Sequence, residues 1–149
     1  MPFSQKTVYA LRAVFELSKR SGTGPVTIAA IAEAQAVPVR FLENILLQLK
    51  GAGILDSARG REGGYWLARE PEMVSVGQVL RAMEISLVPV SCLGGKLQEH
   101  CPMQQSCPFL PMWERAHQAM LGVYDSTSFA DLLEQEASLS QGCGLTFSI

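Results

Sequence analysis

Apolar residues at Tyr9, Leu11, Val14, Phe15 and Leu17 recur at the spacing of an amphipathic helix. Ser4 or Thr7 can cap its start, and Ser21-Gly22-Thr23-Gly24-Pro25 ends it. Thr27 precedes Ile28, Ile31 and Ala32, which predicts a short helix capped by the threonine side chain, with Ala34 to Val37 as its turn. Pro38 suits the first turn of a third helix, since its missing N–H would be unpaired there. That helix carries Phe41, Leu42, Ile45, Leu46 and Leu49, and Lys50-Gly51-Ala52-Gly53 closes it.

The period then changes from helical to extended. Ile54 to Ala58 and Tyr65 to Ala68 read as two strands joined by the glycine-rich turn Arg59 to Gly64. Short helix, turn, longer helix and hairpin follow one another in the order of a winged helix-turn-helix. Ser75 predicts another cap, before Val76, Val79, Leu80 and Met83. Residues 86–107 hold Pro89, Gly94, Gly95 and Pro102 and read as a long loop, which needs something to hold it together. A helix is expected from about Pro111, bearing Met112, Trp113, Ala116, Met120 and Val123, and a last one after Ser128 with Leu132 and Leu133. The expectation is a mainly α chain. Residues 1–85 form the winged helix-turn-helix with its small β-hairpin wing. Residues 86–108 form a cysteine-containing loop, 109–137 the C-terminal helices, and 138–149 a flexible tail.

With 149 residues, 48% of them hydrophobic and 17% charged, the chain suits a folded domain. No apolar run is long enough to span a membrane, and the first residues do not resemble a secretory leader, so the cytoplasm is the expected compartment. The net charge of −2 conceals an asymmetry. Residues 1–67 carry eight basic and five acidic side chains, whereas 68–149 carry four and nine. A basic N-terminal half suits a polyanion, although an uneven solvated surface would look the same.

On the third helix the apolar set leaves Val39, Arg40, Glu43 and Asn44 facing outward, next to Phe41. Arg and Asn are the side chains that pair bidentately with guanine and adenine edges in the major groove. Arg59-Gly60-Arg61-Glu62-Gly63-Gly64 adds two guanidiniums on a turn able to approach a minor groove or phosphates. A nucleotide phosphate loop is excluded, because no Gly-Lys-Ser/Thr ending occurs and a strand follows. Cys92, Cys101 and Cys107 are separated by eight and five residues, with His100 beside the second cysteine. Soft thiolates suit an iron–sulfur cluster or zinc, yet no Cys-x-x-Cys pair is present. Spacing alone therefore leaves iron–sulfur, structural zinc and plain thiols open. Cys143 reads as a free thiol, and His117 as a surface or packing residue.

Six segments together resemble the Rrf-two family of bacterial winged-helix transcriptional regulators. They are Tyr9-Ala10-Leu11-Arg12-Ala13, Ile31-Ala32-Glu33, Phe41-Leu42-Glu43, Leu49-Lys50-Gly51-Ala52-Gly53-Ile54-Leu55, Ser57-Ala58-Arg59-Gly60 and Gly63-Gly64-Tyr65-Trp66-Leu67-Ala68-Arg69. The likeness runs from about Pro2 to Asp131, and the Arg-Gly…Gly-Gly-Tyr wing is its most specific part. The resemblance implies a homodimer joined by the long helix that begins near Pro111, and an iron–sulfur cluster held by Cys92, Cys101 and Cys107. Two departures matter. The gap between the first two cysteines is longer than in much of the family. The family's fourth-ligand positions read Val8 and Leu110, which cannot ligate, so a 4Fe–4S cluster with an open corner is favoured over 2Fe–2S, with His100 as another ligand.

The expected function is that of a DNA-binding regulator, not an enzyme, acting on a near-palindromic operator. Thr27, Val39, Arg40, Phe41, Glu43, Asn44, Arg59, Gly60 and Arg61 form the expected DNA surface. The sensed signal would be iron, redox state or nitric oxide. The alternatives are a zinc- or thiol-based regulator without a cluster and, from another class, an iron–sulfur electron carrier, which would have no use for a recognition helix and wing.

Overall fold

The computed structural model of the chain describes residues 3–94, 101–103 and 106–143. Helix α1 (Gln5–Lys19) starts at Ser4, whose side chain accepts from the Thr7 N–H, so the cap is the first of the two expected residues. Helix α2 (Ile28–Gln35) is capped by Thr27 as expected, and it ends on Ala36 in the left-handed region, φ 49°. That turn swings the chain into α3 (Val39–Gly51). Pro38 stands one place earlier than expected. It is the extended cap residue, outside the first helical turn.

Strands β1 (Leu55–Ala58) and β2 (Gly64–Leu67) pair antiparallel, with Leu55 opposite Leu67 and Ala58 opposite Gly64. Val26 adds an isolated bridge to Tyr65, which pins the wing to the segment before α2. A 3₁₀ turn at Pro71–Met73 leads to α4 (Val76–Ala82), where Ser75 and Gln78 form a complete capping box. A second 3₁₀ turn, Ser91–Gly94, lies within the expected loop and against α5 (Leu110–Ser126). Helix α6 (Phe129–Cys143) completes the described chain.

The predicted stripes supply only part of the core. Tyr9, Leu11 and Phe15 of α1 stay half-buried at its edge, and Ala10 and Ala13 take the innermost places because α2 and α3 approach closely there. Phe41 of α3, expected on the apolar side, is 43% exposed. Ala10, Ala13, Val14 and Leu17 of α1 meet Ile31 of α2, Leu42, Ile45, Leu46 and Leu49 of α3, and Val79 of α4. Phe129 is fully buried among them. The C-terminal helices therefore part company. α5 buries none of its residues, whereas α6 returns to pack on α1 and the Pro71–Met73 turn. α6 also runs past Ala137, where the tail was expected to begin. The Ser138 and Ser140 hydroxyls donate to the Glu134 and Glu136 carbonyls, which lets polar residues remain helical there.

One buried acid ties the first two helices together. Glu16, only 6% exposed, accepts from Arg20 Nε (2.8 Å) and from Gln35 Nε2 (2.8 Å). Gln35 in turn accepts from the Arg12 guanidinium through its backbone carbonyl. Burial pushes the Glu16 carboxyl up, but the hydrogen bonds from Gln35 and Arg20 together outweigh it and hold the group below its ordinary value. A depressed carboxylate contributes stability above its unfolded value and loses it as the pH falls through the folded value. Glu16→Gln should thus cost about 1–2 kcal/mol at neutral pH. Its deficit in urea denaturation should shrink as the pH falls from about 5 to 3. A deficit that stays constant over that range would count against the network.

Candidate nucleic-acid interface

The packing of α3 decides what its other side can do. Leu42, Ile45, Leu46 and Leu49 are fully buried, so Val39, Arg40, Phe41, Glu43 and Asn44 are left exposed. The Arg40 guanidinium lies over the Phe41 ring, 4.8 Å from its centroid, and that ring sits 6.0 Å from Tyr9 of α1. Phe41 thus serves as a platform that holds the arginine at the helix start. The side chains of Glu43 and Asn44 make no hydrogen bond among the described residues. Leu47, 60% exposed, lies on the same face at helical spacing from Arg40 and Asn44, although the sequence reading passed over it. The wheel alone could have found it.

The wing is set beside this helix by specific contacts. Lys50 Nζ of α3 donates to Ser57 Oγ of β1 (2.6 Å). A Cβ at Gly63 would overlap the Ala58 carbonyl oxygen, and one at Gly64 would overlap that of Val26. Both positions need glycine for close approach, and Gly60 supplies a left-handed turn at φ 105°. Arg59, Gly60, Arg61 and Glu62 are all exposed at the tip.

The basic residues of the N-terminal module divide into engaged and free. Arg20 pairs with Glu16, Lys19 reaches Glu136 of α6 (2.7 Å), Arg12 is held by Gln35, and Lys6 donates to Gln48. Arg40, Arg59 and Arg61 have no ion-pair or hydrogen-bond partner among the described residues. The free guanidiniums thus lie on the outer face of α3 and at the wing tip. Thr27, exposed at the start of α2, already accepts from the Ala30 N–H (3.2 Å), but its hydroxyl proton remains free to donate.

The cysteine loop lies elsewhere, at the base of α5. Cys92 is exposed on the Ser91–Gly94 turn, while Cys101 and Cys107 are half-buried, and all three are free thiols. The Cys107 carbonyl accepts from the Leu110 N–H (3.4 Å) where α5 begins. Among the described residues no three His, Cys, Asp or Glu side chains gather so as to hold a metal ion. His100 lies outside the described residues. Val8 on α1 and Leu110 at the start of α5 offer no donor atom, as the sequence implied. The donor chemistry fits a soft metal or cluster: three accessible thiols, none in a disulfide.

α5 itself exposes Met112, Ala116 and Val123 and half-buries Trp113 and Met120. Near its end Asp125 meets Arg81 of α4 in two hydrogen bonds, 2.6 and 2.8 Å. These bonds hold the Asp125 carboxyl below its ordinary value and raise Arg81. No helix among the described residues is long and apolar enough to cross a membrane.

Comparison with known proteins agrees with this geometry. The Rrf2 family model, described as an iron-dependent transcriptional regulator, matches residues 3–135. The Synechocystis protein slr0846 is 34% identical over the full length of both chains. The transcriptional regulator CymR of Bacillus subtilis is 33% identical, over 92% of this chain and 96% of its own. The solved structure of that CymR, described as a global cysteine regulator, superposes with a TM-score of 0.75 at 30% identity, covering 91% of this chain and 98% of that one. The structure of T. potens IscR does so with a TM-score of 0.72 at 32% identity, over 91% and 88%. The winged helix-turn-helix architecture, the free guanidiniums on it and a family match over most of the chain lead to one conclusion: the chain belongs to the Rrf2 (Rrf-two) family of transcriptional regulators, which are not enzymes.

Proposed function

We propose that the chain is a homodimeric regulator that reads a near-palindromic operator with α3 and the wing, under the control of the cysteine loop. The observation that carries this reading is the coincidence of three unpaired guanidiniums, Arg40, Arg59 and Arg61, with the outward face of α3 and the tip of the wing beside it. Arg40 and Asn44 would meet base edges in the major groove, with Val39, Phe41 and Glu43 bordering them. Arg59 and Arg61 would enter the minor groove or pair with phosphates, and Gly60 and Thr27 would bring backbone N–H and hydroxyl donors to the sugar–phosphate chain. The exposed apolar side of α5 would be covered by the same helix of a second copy, since a lone helix cannot bury its own stripe. Two-fold symmetry then presents two recognition helices to two half-sites. Such a regulator works in the cytoplasm, where reducing conditions keep thiols free.

Cys92, Cys101 and Cys107 would hold an iron–sulfur cluster, 4Fe–4S by preference, with His100 as a further donor. When bound, such a group supplies sensitivity to iron supply, oxygen or nitric oxide. The protein's own part is to attach those thiols to the start of α5, so that their state acts on the helix joining the two heads. A second reading, a cluster-free regulator whose thiols are themselves the sensor, draws support from the ungathered free cysteines and from the likeness to CymR.

Two outcomes test these assignments. In gel-shift titrations on a duplex selected from random sequence, Arg59→Ala should weaken binding at least about tenfold. Arg40→Ala should reduce discrimination against base-substituted duplexes by about 1–3 kcal/mol. Unchanged affinity and discrimination in both would remove α3 and the wing from the interface. For the loop, the anaerobically purified protein should carry iron, sulfide and visible absorbance. Cys92→Ala, Cys101→Ala and Cys107→Ala should each lose them with the melting temperature retained. A Cys101→Ala protein that keeps its full iron and spectrum overturns the ligand set, and a colourless wild type with reactive thiols favours the second reading.

A further inference from the structure

Helix α5 joins the head at a junction that is constrained more tightly than a linker. The Val76 N–H donates to the Thr127 carbonyl (2.9 Å), the Phe129 N–H donates to the Val74 carbonyl (2.9 Å), and Ser75 bridges Ser128. Two residues before Thr127, the Asp125 carboxylate accepts from both terminal guanidinium nitrogens of Arg81, Nη1 and Nη2. This carboxylate lies directly against Gly77, where a Cβ would overlap Asp125 Oδ1. On the other side of α4, Gln48 Nε2 of α3 donates to the Ala82 carbonyl (2.9 Å), and Gln48 Oε1 accepts from Lys6 of α1 (2.7 Å). Asp125, Arg81, the end of α4 and Gln48 thus form a continuous bonded path from α5 to the recognition helix.

We infer that Gly77, Arg81 and Asp125 form a strut that fixes the angle between α5 and the DNA-reading head, which makes Arg81 and Asp125 positioning residues for operator spacing. This rests on the proposed reading of α3, the wing and α5. Both partners are about half exposed, 49% and 44% for their side chains, so the pair adds little to stability. A bidentate pair is instead a directional constraint, because it fixes the guanidinium plane against the carboxylate. The lever is long enough to matter. The 17 residues of α5 extend about 25 Å at 1.5 Å per residue. A tilt of about 10° at the junction would displace the far end by about 4 Å, which is close to the rise of about 3.4 Å between stacked bases. The strut therefore acts at the scale that separates one half-site spacing from the next. Gly77 belongs to it because any side chain there pushes the carboxylate off α4 even with both charges intact.

The test compares a duplex selected by the wild-type protein with the same duplex lengthened by one base pair at its centre. Wild type should prefer the selected duplex by roughly tenfold or more. Asp125→Asn, Arg81→Ala and Gly77→Ala should each bring that preference to within about threefold, and the Arg81→Ala/Asp125→Asn double variant should go no further than either single, since one interaction is lost in each. Melting temperatures and dimer sedimentation should remain those of wild type, which a merely structural role would not combine with a changed spacing ratio. Retention of the full preference by folded, dimeric Asp125→Asn and Gly77→Ala proteins overturns the strut alone. A wild type that sediments as a monomer, or selects no duplex, overturns the underlying reading and the strut with it.

Discussion

Burial of one side of α3 is the constraint on which the rest depends. Leu42, Ile45, Leu46 and Leu49 are fully enclosed by α1, α2 and the strand that follows. Losing any one of them to alanine would cost about 2–5 kcal/mol, against a total stability of about 5–15 kcal/mol for a domain of this kind. The helix therefore cannot rotate about its axis. Arg40, Glu43, Asn44 and Leu47 face outward as a consequence, and Arg40 is further steadied over the Phe41 ring.

Charge follows the same logic. The N-terminal half is basic as a whole, but Arg12, Lys19 and Arg20 are engaged at helix junctions with Gln35, Glu136 and Glu16. What remains for a partner is Arg40, stacked on Phe41, and the two arginines of the wing. Gly63 and Gly64 allow the hairpin to close against Ala58 and Val26, so the wing tip stands at a fixed place relative to α3. The described cysteines are separate from this surface and lie near the start of α5, whose other end packs on α4.

Most of the fold was legible because its determinants are local. Thr27 and Ser75 announce two helices by side-chain caps. The period of α3 names Leu42, Ile45, Leu46 and Leu49 as its buried face but wrongly adds Phe41, while that of α1 misses the small Ala10 and Ala13 at the closest contacts. The glycines between Arg59 and Tyr65 announce the hairpin. What could not be read depends on contacts distant in sequence. Phe129 looks like any aromatic near a helix start, and only the completed core shows that it draws α6 back onto the head. The Arg81–Asp125 pair spans 44 positions and carries no local signature. The continuation of α6 past Ala137 was hidden by its serines, which favour turns in isolation but bond back along the helix here. The arginines proposed to meet DNA were legible from their outward positions, whereas the exposed Leu47 on the same face of α3 was not.

The central claim is that the outward face of α3 and the wing read one duplex together, each in its own groove. Hydroxyl-radical footprinting combined with methylation interference at guanine N7, on a duplex selected from random sequence, tests it most directly. The account predicts, in each of two symmetric half-sites, major-groove interference adjoining a minor-groove window of protection. Protection without any guanine interference, or a single asymmetric footprint, would contradict it.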